Sequence, residues 1–186
     1  MRRALSLFIA LAACSPASFD GTALPARAAP TFTLVDQTSH AWSLGSQRGE
    51  TIALYFGYTH CPDDCPLTLA KLSRAIAALG SRAAQAEIVF VTVDPARDTP
   101  AVLAAYVSHF HGAKIVALTG GRAALADVYT AYHVWSERLA RTKRGGYDVA
   151  HASQVFLIDE RGMLRVVHDD SDGASAFVHD LRELGA

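Results

Sequence analysis

Two short, largely apolar runs constrain the fold of this chain more than any other feature of the sequence. The runs 51–56 (TIALYF) and 87–93 (EIVFVTV) are short and rich in β-branched and aromatic residues, which favours strands over helices. Strands that are apolar on both faces are typical of the centre of a sheet that is covered on both sides. We therefore predict an α/β protein with buried central strands.

Helical patterns alternate with these strands. Between the two runs, Leu69, Leu72, Ile76 and Leu79 recur at helical spacing, and Gly80 ends that helix. Further elements are predicted as a β-hairpin over 32–44, a helix from Thr99 to about Phe110, a strand over 115–118, a helix over 121–132, strands over 154–159 and 163–167, and a last helix over 174–184. This order is that of a thioredoxin-like fold with an N-terminal β-hairpin and an insertion before the last β-hairpin.

The insertion, residues 133–150, is polar and contains a basic run over 138–144. We interpret this run as a solvated loop, and a docking surface for an acidic partner is the alternative. The whole chain has 17 Lys and Arg against 18 Asp and Glu, for a net charge of −1. Nucleic-acid binding requires a concentrated basic face, so nothing here favours nucleic acid as a partner.

The first thirteen residues have the pattern of an export signal. A short positive start is followed by ten small and apolar residues over 4–13, which suit a signal peptide and are too few to span a bilayer. The end of this run and the residue after it, Leu11-Ala12-Ala13-Cys14, resemble the lipobox of bacterial lipoproteins, in which the cysteine becomes lipidated. Ordinary cleavage near 26–28 (ARA) is the alternative.

Either cleavage predicts an exported protein. With the lipoprotein interpretation, residues 1–13 are the signal peptide, 14–30 a flexible tether and 31–186 the folded domain. We expect this domain to face the periplasm of a bacterial cell envelope, held at a membrane through a lipid on Cys14.

With Cys14 assigned to the anchor, Cys61 and Cys65 are the only thiols of the domain. They lie where a buried strand passes into a helix, and Pro66 occupies the first helical turn. Free backbone N–H groups and the helix dipole there favour thiolates, which are nucleophiles and soft ligands. A spacing of four residues lets the two sulfurs share either a disulfide or a metal ion.

A metal site needs a further ligand, and His151 is the candidate. Soft sulfur ligands select copper(I), zinc or iron–sulfur clusters, and imidazole suits copper in either oxidation state. A histidine in a loop is usually solvated. His151, however, directly precedes the strand predicted over 154–159, where thioredoxin folds bring a loop against the active-site helix.

Three sequence blocks resemble the Sco/SenC family across residues 31–185. They are 58–66 (YTHCPDDCP), 93–100 (VDPARDTP) and His151 followed by 155–159 (VFLID). The resemblance implies that Cys61, Cys65 and His151 bind a copper ion, as Cu(I) or Cu(II). It also implies a role in assembling the binuclear copper centre of cytochrome c oxidase. The implied partners are the copper-bearing oxidase subunit and other periplasmic copper chaperones or thiol reductants.

The chain departs from this family at two places. Family members often carry an aspartate directly before the ligand histidine, where this chain has Ala150. The usual glycine of the N-terminal hairpin turn is replaced by Ser39-His40. Neither change removes one of the implied ligands.

The motif supports two functions of different classes. The first is a copper metallochaperone, and the second is a thiol–disulfide oxidoreductase that reduces the cysteines of the copper acceptor. A peroxide-reducing enzyme has less support because no peroxidase motif accompanies the fold. Only copper binding has an evident need for His151.

Other polar residues have simpler structural interpretations. Residues 94–100 suit a turn and a helix cap, and His60 beside Cys61 suits a surface position, although it could tune the thiolate. His109 and His111 lie at a helix end, where cations interact favourably with the dipole.

Overall fold

The computed structural model describes residues 18–141 and 146–185. The β-strands of this part are β1 (Thr22–Ala28), β2 (Thr33–Asp36), β3 (Ala41–Ser43), β4 (Thr51–Gly57), β5 (Ala86–Thr92), β6 (Lys114–Thr119), β7 (Ser136–Arg141), β8 (Tyr147–His151), β9 (Val155–Ile158) and β10 (Met163–His168). The α-helices are α1 (Asp64–Ala77), α2 (Pro100–Val107), α3 (Arg122–Ala131) and α4 (Ala174–Glu183). The predicted signal over 1–13 and the lipidation site Cys14 lie outside the described residues.

The two apolar runs form the centre of an eight-stranded sheet. Strands β4 and β5 are parallel neighbours, and every residue of both is buried, so both faces of the sheet are covered. The order across the sheet is β1-β10-β9-β4-β5-β6-β2-β3, with β4, β5 and β6 parallel to one another. Helix α1 joins β4 to β5 and packs against α4. These features confirm the predicted α/β, thioredoxin-like fold.

The predicted N-terminal hairpin is present as β2 and β3. Its turn is closed by Asp36, whose carboxylate accepts hydrogen bonds from the N–H groups of Thr38 (2.8 Å) and His40 (2.9 Å). Ser39 has a φ of 67°, in the left-handed region that favours glycine. This backbone geometry explains why a glycine would suit the turn better than the serine found here.

The tether predicted over 14–30 requires correction, because residues 22–28 form strand β1. It pairs with β10 at the edge of the sheet, and its side chains are mostly exposed, so it has no apolar pattern. Pro25 is tolerated because the register is irregular there and the strand is an edge strand. The buried carboxylate of Asp180 on α4 accepts the N–H groups of Asp20 (2.8 Å) and Gly21 (3.0 Å) and so fixes the start of β1.

The insertion predicted before the last hairpin is present, but it is not the loop expected. Strands β7 and β8 form a separate antiparallel hairpin, and the described part of the basic run over 138–144 lies in β7. The Arg138 guanidinium lies 3.5 Å from the centre of the Tyr147 ring, and the Arg97 guanidinium lies 3.7 Å from it. The Tyr147 hydroxyl donates to Asp94 (2.7 Å). The contact with Arg138 lies within the hairpin, and the contacts of Tyr147 with Arg97 and Asp94 attach the hairpin to the rest of the domain.

The remaining elements agree with prediction to within a few residues. Thr99 caps α2 by accepting a hydrogen bond from the Val102 N–H (3.3 Å), and α2 ends at Val107, three residues before the predicted end. In the described part of the chain, no helix is both long enough and apolar enough to cross a membrane.

Candidate metal centre

Cys61 and Cys65 lie at the junction of β4 and α1, as the sequence predicts. Cys61 is half-buried in the connecting loop, and Cys65 is fully buried in the first turn of the helix. The Cys65 N–H donates to the Cys61 sulfur at 3.4 Å. The helix start therefore directs a backbone donor at one of the two sulfurs, which favours the thiolate.

Gly57, the last residue of β4, makes room for this arrangement. A Cβ atom built at this position would lie 2.8 Å from the Cys65 sulfur and 2.8 Å from the Phe90 ring. Such distances are below van der Waals contact, so a side chain here would displace the sulfur or the ring. The absence of a side chain at Gly57 allows Cys65 to pack directly against the end of the strand.

His151 is the last residue of β8, and the hairpin brings it over the two cysteines. Its Nδ1 lies 2.9 Å from the Ala152 carbonyl oxygen, which can only accept, so Nδ1 carries the proton. Its Nε2 is then free as a ligand and lies 3.5 Å from the Cys65 sulfur. The ring also makes an edge-to-face contact with Tyr58, at 5.8 Å between centroids. These contacts fix both the tautomer and the orientation of the imidazole.

The three side chains form a compact donor set. One ligand atom from each of Cys61, Cys65 and His151 lies within 4.8 Å of the other two. Two sulfurs and an imidazole nitrogen are a suitable set for a soft metal ion such as copper. The prediction that these residues come together is therefore confirmed, and their roles as ligands remain a proposal.

The site holds Cys61 as a thiolate. A hydrogen bond from the Cys65 thiol, assisted by His151 and by backbone N–H groups, outweighs burial and lowers the pKa of Cys61 to about 3. The neighbouring Cys61 thiolate and burial raise the pKa of Cys65. Burial alone would lower the pKa of His151, but its hydrogen bonds to Cys61 and to Ala152 raise it above the ordinary value. The reduced pair thus holds one proton, on the buried Cys65.

Tyr55 belongs to the site and was missed in the sequence. It lies in β4, is fully buried, and its hydroxyl donates to the Cys65 sulfur at 3.5 Å. Burial raises the pKa of Tyr55, so the hydroxyl keeps its proton and remains a donor. The available signal was a hydroxyl in an otherwise apolar strand, because a buried tyrosine hydroxyl usually needs a partner.

The segment 94–100 forms the predicted turn and helix cap, and it also supports the cysteine loop. The buried carboxylate of Asp98 accepts hydrogen bonds from the Thr59 N–H (3.1 Å), the Thr59 hydroxyl (2.6 Å) and the Thr92 hydroxyl (2.6 Å). Thr59 is two residues before Cys61. Asp98 therefore connects the loop after β5 to the loop that holds Cys61.

The other histidines named above do not join the donor set. His60 is a surface residue with 51% of its side chain exposed, and its Nδ1 lies 3.0 Å from the Thr59 hydroxyl oxygen. His109 and His111 are exposed beyond the end of α2, and neither belongs to a metal-binding group among the described residues.

The fold and this site define a class, the thioredoxin-like proteins that bring two cysteines and a distant histidine together. Within that class the chain belongs to the SCO1/SenC family, whose sequence profile matches residues 20–186.

Individual relatives agree with this assignment. A SCO2-like protein of Rickettsia prowazekii is 36% identical over 132 residues, which cover 70% of this chain and 64% of the relative. The structure of Bradyrhizobium japonicum ScoI with copper bound is 33% identical, has a TM-score of 0.75 and is matched over 84% of this chain and 98% of its own. Apo Sco1 from Thermus thermophilus is 29% identical, with a TM-score of 0.79 over 90% of this chain and 97% of its own. The match thus spans slightly less than two thirds of the Rickettsia relative.

Proposed function

We propose that this chain is a copper metallochaperone that binds Cu(I) or Cu(II) through Cys61, Cys65 and His151. The observation that carries the proposal is the convergence of two sulfurs and one imidazole nitrogen within 4.8 Å of one another. The copper bound in the related Bradyrhizobium structure supports the choice of ion. Copper is the cargo in this proposal, and the protein holds it for delivery to an acceptor.

The protonation of the site suits this role. Cys61 is already a thiolate, so one donor is ready before the ion arrives. The hydrogen bond from Nδ1 to Ala152 leaves Nε2 of His151 as the second donor atom, and the proton that Nε2 shares with the Cys61 thiolate leaves when the ion binds. Cys65 must release its proton when the ion binds, and the Tyr55 hydroxyl can stabilise the resulting thiolate. Because Cys61 is only half-buried, its sulfur is the donor that an acceptor's ligand can reach first during transfer.

Copper loading and redox state are coupled in this proposal. If Cys61 and Cys65 lose two electrons and the pair's remaining proton, they form a disulfide, and both thiolate ligands are lost. A reductant that returns two electrons restores the site. The closeness of the two sulfurs permits this exchange.

The second candidate function is a thiol–disulfide oxidoreductase that reduces the cysteines of the copper acceptor. The observation in its favour is the asymmetry of the pair, with a reachable thiolate at Cys61 and a buried, protonated partner at Cys65. A nucleophilic thiolate and a resolving thiol are what dithiol exchange requires. His151 separates the two functions, since exchange has no evident need for an imidazole ligand.

One experiment compares both activities in the same proteins. Reduced wild type is titrated anaerobically with Cu(I) and, separately, with Cu(II), and dithiol exchange is measured in parallel for wild type, His151→Ala and the control His109→Ala. We expect reduced wild type to bind one copper ion per chain. His151→Ala should weaken Cu(II) binding by a larger factor than it slows dithiol exchange, and His109→Ala should change neither activity. If reduced wild type binds no copper, the chaperone proposal fails.

The acceptor and the location are also part of this proposal. We infer delivery to, or maturation of, the binuclear copper centre in the copper-bearing subunit of cytochrome c oxidase, with periplasmic copper chaperones or thiol reductants as further partners. The lipobox-like residues before Cys14 support export and a lipid anchor at a membrane. Cys14→Ser should move the protein from the membrane fraction to the soluble fraction, and unchanged fractionation would contradict the anchor.

A further inference from the structure

The hollow beside the metal centre contains an exposed tryptophan that the donor set does not require. The hollow has a volume of about 370 Å³, and Cys61, His151, Tyr58 and Trp135 contribute to its walls. Trp135 is 55% exposed. Large apolar side chains with this exposure are rare in the described part of the chain, and this one lies on the side from which Cys61 is reached.

The backbone of Trp135 is hydrogen-bonded to the segment that follows the donor-set histidine. Its carbonyl oxygen accepts a hydrogen bond from the Ala152 N–H at 2.9 Å, and Ala152 directly follows His151. This backbone hydrogen bond places Trp135 next to the segment that carries the histidine of the donor set. Exposed aromatic side chains in such positions are typical of the residues that dominate protein–protein binding energy.

The charges around the hollow are all of one sign. Asp63, Asp64 and Asp148 are exposed and line it, whereas its walls include no lysine or arginine. Arg97 lies behind Tyr58, with its guanidinium 5.7 Å from the ring centre, and it is paired with Asp94. We call Trp135 and the three aspartates the acidic aromatic rim.

We propose that the acidic aromatic rim is the docking surface for a partner protein whose own thiols are flanked by lysine or arginine. The three carboxylates attract such a segment to Cys61, and the Trp135 ring covers an apolar side chain of the partner or stacks on its arginine. The proposal rests on the proposed function, in which Cys61 exchanges ligands or electrons with a partner's cysteines. It adds the kind of partner that the site accepts.

Small thiols of different charge test the electrostatic half of the proposal. The oxidised protein is reduced with cysteamine (positive), 2-mercaptoethanol (neutral) or 3-mercaptopropionate (negative). In each case two probe thiols give two electrons to the Cys61–Cys65 disulfide and become one probe disulfide; one of their protons goes to Cys65 and the other to the solvent. Each rate is divided by the rate of the same probe with an uncharged small disulfide, which removes differences in intrinsic reactivity.

We expect cysteamine to react about tenfold faster than 3-mercaptopropionate at low salt after this correction, because three carboxylates line the same hollow as Cys61 and salt screens them little under that condition. The ratio should fall towards one at high salt and in the variant Asp63→Asn, Asp64→Asn, Asp148→Asn. The matched control, Asp127→Asn, Glu160→Gln, Asp169→Asn, removes three exposed acids elsewhere and should keep the wild-type ratio.

A cysteine peptide containing arginine and phenylalanine tests the role of Trp135. Trp135→Ala should slow its exchange with the oxidised protein by about tenfold. Trp135→Phe should retain most of the rate, and Leu139→Ala, which removes an exposed side chain outside the hollow, should leave it unchanged.

Two results would overturn the docking proposal. The first is that the corrected rates of the three thiols are equal at low salt. The second is that a matching peptide with glutamate in place of arginine exchanges as fast as the arginine peptide. Copper binding by the reduced protein is a separate measurement. Failure of the docking proposal is therefore distinguishable from failure of the proposed function.

Discussion

Replacing Cys65 with alanine tests whether the site itself holds Cys61 as a thiolate. The largest cause of the low Cys61 pKa is the hydrogen bond from the Cys65 thiol, and the alanine variant removes that donor. The Cys65 backbone N–H and the imidazole of His151 remain. Cys65→Ser is the matched control, because its hydroxyl can still donate.

The expected change in the Cys61 pKa can be calculated because the lost hydrogen bond is one to a charged acceptor, the Cys61 thiolate. A hydrogen bond to a charged group contributes about 1.5–3 kcal/mol, and one pKa unit corresponds to 1.36 kcal/mol. The pKa of Cys61 should therefore rise from about 3 to about 4–5 in Cys65→Ala, and by less in Cys65→Ser. Below its pKa the Cys61 sulfur is protonated and unreactive. The pH at which the reaction rate of Cys61 falls should therefore rise by the same number of units as the pKa.

The assay is the rate of reaction of Cys61 with a pyridyl disulfide, which reports thiolate at acid pH, measured from pH 3 to pH 8. Circular dichroism at each pH shows whether the fold is intact. In wild type the rate should be nearly constant above pH 5. A wild-type rate that rises about tenfold per pH unit up to pH 8, as for an ordinary thiol, would refute the reasoning, and so would identical profiles for wild type and Cys65→Ala.

Three further substitutions test the support around the site and the N-terminal strand. Tyr55→Phe removes the hydroxyl bonded to Cys65 and should weaken Cu(I) binding about tenfold in competition with a chromophoric chelator. Asp180→Ala leaves the fully buried His168 without one of its carboxylates and should lower the free energy of unfolding by about 3–5 kcal/mol in urea. Gly57→Ala places a methyl group 2.8 Å from the Cys65 sulfur and should cost about 1–3 kcal/mol and weaken copper binding as well.

Each of these has a control or a contrary result. Gly45→Ala adds a methyl group at ordinary van der Waals distance, 3.6 Å from the nearest atoms of Ser43 and Thr31, and should change the free energy of unfolding much less than Gly57→Ala does. If Tyr55→Phe changes the Cu(I) affinity by less than twofold, the Tyr55 hydroxyl does not stabilise the copper-bound site. Hydrogen bonds from His179, Asp20 and Gly21 outweigh burial and lower the pKa of Asp180 below 3.8, so its stabilisation should be complete above about pH 4 and lost as the pH falls through the folded value. An Asp180→Ala deficit that persists unchanged in strong acid would contradict this assignment.

The buried half of the fold could be predicted because burial leaves a pattern in the sequence. Strands β4 and β5 are apolar on both faces, and α1 has apolar side chains at helical spacing. Strand β1 left no such pattern, since its side chains are mostly exposed and its position depends on pairing with β10 and on the distant Asp180. The hairpin of β7 and β8 was missed for the same reason.

The donor set could be predicted in part. Cys61 and Cys65 are close in sequence, so their spacing alone indicates that they share a site. His151 required knowledge of where its loop lies in the fold. Tyr55 and Asp98 act through hydrogen bonds whose partners depend on tertiary packing. The local sequence at Tyr55 shows only that a buried hydroxyl needs a partner, and it does not identify Cys65 as that partner.

X-ray absorption at the copper edge of the Cu(I)-loaded, reduced protein tests the central claim most directly. The account predicts two sulfur ligands and one imidazole nitrogen for wild type, and loss of the imidazole contribution in His151→Ala while His109→Ala keeps it. A copper site without sulfur ligands, or a spectrum that His151→Ala does not change, would contradict the assignment of Cys61, Cys65 and His151 as the copper-binding residues.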